Sequence, residues 1–178
     1  MGQDPTRTQA QEPGKPHKRW RAGVAQVALA VALFVGIGAY QSRDLLSAQP
    51  APMWSATDLQ GAPHQSTSYH GKKTLMYMWA PWCGVCSMVS DNIVRVADWM
   101  PDVHVISMAL AYKDEARVRA YAKEHSLPGD VILGSVSIQR AFRVSAFPTV
   151  YVLDEQGRVE DAVVGYTSTF GLLWRLWI

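Results

Sequence analysis

The rhythm of hydrophobic and polar positions changes several times along the chain. Residues 1–21 open with MGQDPTRTQAQEPGKPHKR, a polar run holding Pro5, Pro13 and Pro16, and predict a disordered tail. Ala22–Tyr40, AGVAQVALAVALFVGIGAY, carries no charge, and Gln26 is its one strongly polar side chain. As a helix rising ~1.5 Å per residue it reaches about 28 Å, close to the ~30 Å hydrocarbon thickness of a bilayer. It predicts a single transmembrane anchor. Residues 41–52, QSRDLLSAQPAP, read as a linker, and the domain occupies 53–178.

Within the domain, WSATDL followed by Gln60-Gly61 predicts a strand and a turn. In Lys73–Ala80, Leu75, Tyr77 and Trp79 point one way and Met76, Met78 and Ala80 the other. A strand apolar on both faces is a central strand of a covered, largely parallel sheet. Cys83–Met100 reads as a helix with an apolar stripe of Met88, Ile93, Val96 and Met100, stopped by Pro101. Val103–Leu110 is a second strand, and Asp114–His125 a charged amphipathic helix. VIL reads as a short extended piece, SIQRAF as one or two helical turns, and Pro148–Asp154 as a strand. VEDAVVG reads as the antiparallel neighbour of that strand, and TSTFGLLWRLWI as a closing helix. The alternation of strands and helices predicts an α/β sheet with helices on both faces. The closing helix is apolar almost all round, through Phe170, Leu172, Leu173, Trp174, Leu176 and Trp177. Packing against the sheet accounts for one face; a partner or membrane surface would account for the other.

Composition changes this picture little and charge changes it more. Hydrophobic residues make up 48% of the 178 and charged residues 18%, which is globular. A net charge of +2 argues against a general nucleic-acid binder. Lys15, Lys18, Arg19 and Arg21 stand directly before the apolar run, so the positive-inside bias keeps the tail in the cytoplasm and exports the rest. The expected location is the inner (cytoplasmic) membrane, single-pass, with the domain on the periplasmic or extracytoplasmic side. A signal peptide cleaved near Gly36 or Gly38 is the alternative, and it too exports the domain.

Cys83 and Cys86 are the only cysteines, three residues apart in WAPWCGVC. So small a loop constrains the unfolded chain little, so stability is not the reason for the pair. At the first turn of a helix, Cys83 meets free backbone N–H groups and the positive end of the dipole. A thiolate there can have its pKa lowered from ~8.5 into the range ~3.5–7.5. Cys86, one turn further on, can attack a mixed disulfide formed by Cys83. Cys83 is therefore read as the nucleophile and Cys86 as the resolving thiol. Structural zinc needs more ligands than these, and His17, His64, His70, His104 and His125 show no ligand spacing. A Cu(I) module built on the two cysteines is the non-enzymatic alternative. No resident metal or cofactor is expected.

WAPWCGVC resembles the active-site motif of the thioredoxin superfamily, and the later FPT before a strand also matches. The resemblance covers roughly 52–178 and implies a thioredoxin-like fold. MWSATDLQGAPHQ resembles the N-terminal β-hairpin extension of membrane-anchored TlpA/ResA-type proteins, and the Cys-Gly-Val-Cys motif is similar to that of ScsD-like exported oxidoreductases, a family linked with copper tolerance. The resemblance implies a protein disulfide oxidoreductase with Cys83 and Cys86 as its redox disulfide. It implies client contact at Trp82, Phe147 and Pro148, with a cis Phe147–Pro148 bond. Implied partners are protein thiol or disulfide substrates and a membrane electron donor that keeps the pair reduced; a disulfide oxidase is the alternative direction.

Three positions depart from the pattern. Tyr77 stands where thioredoxins have a buried Asp, Val89 where many TlpA/ResA-type proteins have an acid, and Asp91 where thioredoxins have a kink proline. The usual proton acceptor for Cys86 is thus missing from both places. Peroxiredoxin-like proteins share the hairpin, but their nucleophile follows a Thr three residues earlier, and here that position is Ala80.

Overall fold

The computed structural model describes residues 17–42 and 45–177. The chain divides after Ile37 into two compact units. Helix α1 spans His17–Ser42, and Val24, Val27, Leu29, Val31, Leu33 and Ile37 are exposed along it. The predicted tail at 1–16 and, within the predicted span, the side chains at 22, 34, 35 and 38–40 lie outside the described residues. Among the described residues no helix is long and apolar enough to cross a membrane.

The second unit opens with an antiparallel hairpin of β1 (Ser55–Thr57) and β2 (Pro63–Gln65), closed by a turn in which Gly61 takes φ +86°, a conformation glycine adopts without strain. A 3-10 turn at Ser66–Tyr69 leads into β3, Thr74–Trp79. Then follow α2 (Gly84–Trp99), β4 (His104–Ala109), α3 (Glu115–Glu124), β5 (Val131–Leu133) and α4 (Val136–Ala141). The chain continues as β6 (Thr149–Leu153), β7 (Val159–Val164) and α5 (Thr169–Trp177). The five-stranded sheet has the order β5-β4-β3-β6-β7. The hairpin adjoins its β5 edge, through a bridge between Asp58 and Ile132.

Every side chain of β3 is buried, as the two-faced apolar pattern requires. Leu75, Tyr77 and Trp79 join Val89, Ile93, Val96, Leu172 and Leu176 in the core under α2 and α5. Met76 and Met78 enter the opposite core with Met108, Phe142 and Tyr151. The two methionines are thus packing residues. Leu45 and Leu46, within the stretch read as a linker, are also buried in this second core.

Two expectations need correction. The sheet is only partly parallel: β3 pairs with β4 in parallel but with β6 antiparallel. A strand covered on both faces reads alike in either direction, so composition carried no directional signal. Met88 is half exposed, and the inward face of α2 is Cys86, Val89, Ser90, Asn92, Ile93 and Val96. The register of the stripe is set by Cys86, which the hydrophobic count left out.

Candidate active site

Chain direction puts the two cysteines at the mouth of the sheet. β3 ends at Trp79, and the turn through Pro81 and Trp82 delivers Cys83 as the N-cap of α2. Its extended backbone (φ −88°, ψ 104°) lets Sγ accept the N–H of Cys86 at 3.2 Å. Sulfur here does what a Ser or Asp oxygen does at other N-caps. Cys83 and Cys86 form a disulfide with Cα atoms 5.3 Å apart. Cys83 retains 8% exposure and Cys86 none. The two cysteines are therefore inequivalent in burial, and Cys83 is the less enclosed.

Trp82 lies on the surface beside them. Its indole N–H donates to the Ala111 carbonyl at 2.9 Å, and its ring meets Phe147 edge-on at 5.7 Å. Phe147 also packs against the core cluster that contains both cysteines. The Phe147–Pro148 peptide is cis. The Pro148 carbonyl accepts the Gly165 N–H at 2.8 Å, which ties this loop to the end of β7. Cys83, Trp82 and Phe147 thus share one surface. On the far side of Trp82 a cavity of about 500 Å³ is lined by Pro81, Tyr112, Lys113 and Arg117 among others.

Beneath Cys86 lies a group of buried hydroxyls. The Tyr77 hydroxyl donates to the Cys86 carbonyl at 2.8 Å and meets Ser90 Oγ at 3.1 Å; Ser90 in turn meets the Tyr121 hydroxyl at 3.1 Å. A carbonyl only accepts, so the Tyr77 proton points at Cys86, and Ser90 and Tyr121 can donate in file behind it. Burial pushes the Tyr77 and Tyr121 phenols above their ordinary range. They stay protonated across neutral pH. The Tyr121 ring stacks on Trp79 at 4.3 Å, and the Trp79 N–H reaches Ser107 Oγ at 3.0 Å, so the layer below the dithiol is fully paired. Among the described residues no carboxylate is hydrogen-bonded to either cysteine. Val89 is fully buried beside Cys86. The sequence marked Tyr77 as a substitution, but Ser90 and Tyr121 escaped notice. Ser90 is four residues beyond Cys86 on the same helical face, which is the signal that was available.

A second polar cluster sits away from the sulfurs. Asp58 Oδ1 accepts the N–H groups of Gln60 and Ala62, each at 2.8 Å, and Oδ2 pairs with His64 Nε2 at 3.0 Å. The His64 hydrogen bond, more than the backbone ones, holds the Asp58 carboxyl below its ordinary range. Asp130 is close enough for Asp58, His64 and Asp130 to form a potential three-donor cluster. It lies at the foot of the hairpin, not at the dithiol.

A thioredoxin-like sheet that presents a two-cysteine disulfide at a helix N-terminus, Cys83 at 8% exposure and Cys86 fully buried, defines a protein disulfide oxidoreductase. The chain belongs to the AhpC/TSA family, whose model matches residues 48–162. It is 29% identical over 156 residues to the thioredoxin-like protein YneN of Bacillus subtilis, covering 83% of this chain and 91% of the relative. It is 24% identical over 118 residues to the thiol-disulfide oxidoreductase ResA of Geobacillus thermodenitrificans, covering 65% and 67%. The crystal structure of a secreted Mycobacterium tuberculosis disulfide oxidoreductase, homologous to Escherichia coli DsbE, superposes with a TM-score of 0.63. That alignment covers 70% of this chain and 94% of the other at 23% identity, and bears on the fold.

Proposed function

We propose that this oxidoreductase is an exported, membrane-anchored protein disulfide reductase in which Cys83 attacks and Cys86 resolves. The observation that carries the division of labour is the N-cap geometry: the more exposed sulfur is also the one that accepts a helix N–H. In the reduced protein that donor and the helix dipole favour a Cys83 thiolate. The thiolate attacks one sulfur of a client disulfide, a Cys83–client disulfide forms, and the other client sulfur leaves as a thiolate that takes a proton. Cys86, deprotonated, then attacks Cys83 Sγ and releases the second client thiol. Two electrons have passed to the client, and the Cys83–Cys86 disulfide awaits two electrons and two protons from a membrane donor.

Trp82 and Phe147, with the buried Pro148 behind them, are the proposed client-binding site. The reductase direction is supported by what surrounds the motif. Gly84 and Val85 bring no side chain that would add to the stability of a thiolate, and a strong oxidant needs such stabilisation. The anchored reading rests on the uncharged run Ala22–Tyr40, its basic flank, and the exposed apolar side chains along α1.

One set of acid-quenched, alkylated cell samples tests the proposal. Cys86→Ser is expected to accumulate mixed disulfides with client proteins, and Cys83→Ser is not. The wild-type pool is expected to be mostly reduced. Trapping by Cys83→Ser alone reverses the roles of the cysteines. A wild-type pool that is almost wholly oxidised replaces the reductase with an oxidase.

A further inference from the structure

We propose that the end of the domain opposite the dithiol rests on a phospholipid bilayer through a tryptophan-rich face of α5 and the last turn of α2. The proposal builds on the anchored reading above and goes beyond it, because it assigns a second, peripheral membrane contact to the folded domain.

α5 is apolar on two sides. Thr169, Leu172 and Leu176 are buried against α2 and the core beneath it, which satisfies one side. Phe170 (76% exposed), Trp174 (67%) and Trp177 (84%) point away from it, next to Trp99 at 57%. With Met100 and Leu173 they line an apolar depression of about 660 Å³ into which no charged side chain projects. Contiguous exposed apolar surface of this kind marks an interaction site. Its chemistry is aromatic, not aliphatic. Indole has an apolar body and one N–H, so it settles at the headgroup level where one side is dry and the other wet.

Position in the fold selects the bilayer over other occupants. β3 runs from Thr74 toward Cys83, and Lys73, just before it, donates from Nζ to the Leu176 carbonyl at 3.1 Å. The last turn of α5 is therefore at the end remote from the sulfurs. Trp99 closes α2, whose 16 residues separate it from Cys83 by about 24 Å. The chain enters the domain at this same end. The Ala48 and Ala51 N–H groups donate to the carbonyls of Val159 and Gly157, each at 2.9 Å. That β6–β7 turn lies beside the start of β3, since Thr74 pairs with Leu153. Ala48 and Arg175 line one common groove. A tether that joins the domain ahead of Ala48 thus brings this end to a membrane at high effective concentration, and leaves the dithiol facing outward.

Full-length protein in vesicles of phosphatidylcholine and phosphatidylglycerol with brominated acyl chains tests this. The chain has seven tryptophans, of which Trp20 precedes the apolar run and reports the anchor alone. Trp174→Phe/Trp177→Phe keeps the packing apolar and removes two reporters. The quenched emission amplitude is expected to fall by about half in that variant if the indoles lie at the interface. An unchanged amplitude, in vesicles that still float the protein, overturns the bilayer contact and leaves the anchor standing. If chemical crosslinking then yields a dimer joined through α5, the face belongs to a second copy. Protein that does not float overturns both the anchor and this contact. Client trapping by Cys86→Ser reads the thiol chemistry separately in every case.

Discussion

At Tyr77 a phenol occupies the place where the related fold puts a carboxylate, and the difference is chemical as well as spatial. A buried carboxylate can accept a proton near neutrality; the Tyr77 phenol, with its pKa raised by burial, cannot. Tyr77 is a donor to the Cys86 backbone and the head of a hydroxyl file. Tyr77→Phe removes two buried hydrogen bonds, to the Cys86 carbonyl and to Ser90 Oγ. Stability is expected to fall by about 1–2 kcal/mol in urea unfolding. The pH dependence of the proposed mixed-disulfide resolution by Cys86 is expected to keep its shape in Tyr77→Phe. A profile that changes shape in Tyr77→Phe would make Tyr77 a proton carrier. The missing acid was legible from sequence at this scale because it is a single position counted from Cys83. The hydroxyl file was not, because Ser90 and Tyr121 meet across 31 positions only once α3 lies over α2.

Between elements, one buried amide fastens the active-site helix to the closing one. Asn92 Nδ2 donates to the Thr167 carbonyl at 2.9 Å, and its Oδ1 accepts from Thr169 Oγ1 at 2.9 Å and from Arg95 at 3.1 Å. Replacing it by Ala strands a buried carbonyl and a buried hydroxyl. Asn92→Ala is expected to cost about 2–3 kcal/mol, read as a lowered thermal midpoint, and to loosen α5 first in hydrogen exchange. Uniform loss of protection across the domain would show that the two helices do not separate independently. Helix existence was legible here from Pro101 and from the apolar spacing. Which face turns inward was less so: counting Met88 as apolar and passing over Asn92 rotated the stripe, because a hydrogen-bonded amide in a core looks polar to any hydrophobicity count. The directions of β6 and β7 differed in legibility for a related reason. The short turn EQGR allows only an antiparallel pair, whereas nothing in PTVYVLD says which way it runs beside β3.

Over the whole domain, the hairpin at the β5 edge is clasped across its own turn by one carboxylate, and that clasp is sensitive to acid. Asp58 is ionised in the fold with its pKa depressed chiefly by His64. A group whose pKa is lower in the folded than in the unfolded state contributes stability above its unfolded pKa, and loses it as pH falls through the folded value. The wild type is therefore expected to lose stability as pH drops below about 4. Asp58→Asn is expected to be less stable at neutral pH, with a shallower acid limb, when unfolding midpoints are compared from pH 7 to pH 2. Equal slopes in the two proteins would remove the clasp from the account. The cluster escaped the sequence reading because His64 was tested only for metal-ligand spacing, and its partner lies across a turn. α2 runs between the two ends of the domain as a spacer of fixed length. A domain resting on its tryptophan face would carry Cys83 at one set height above the lipid. Bonds buried close to the headgroups would pass beneath it, and those borne on stalks of similar height would meet it: the helix would be a gauge that sorts clients by how far they stand from the membrane.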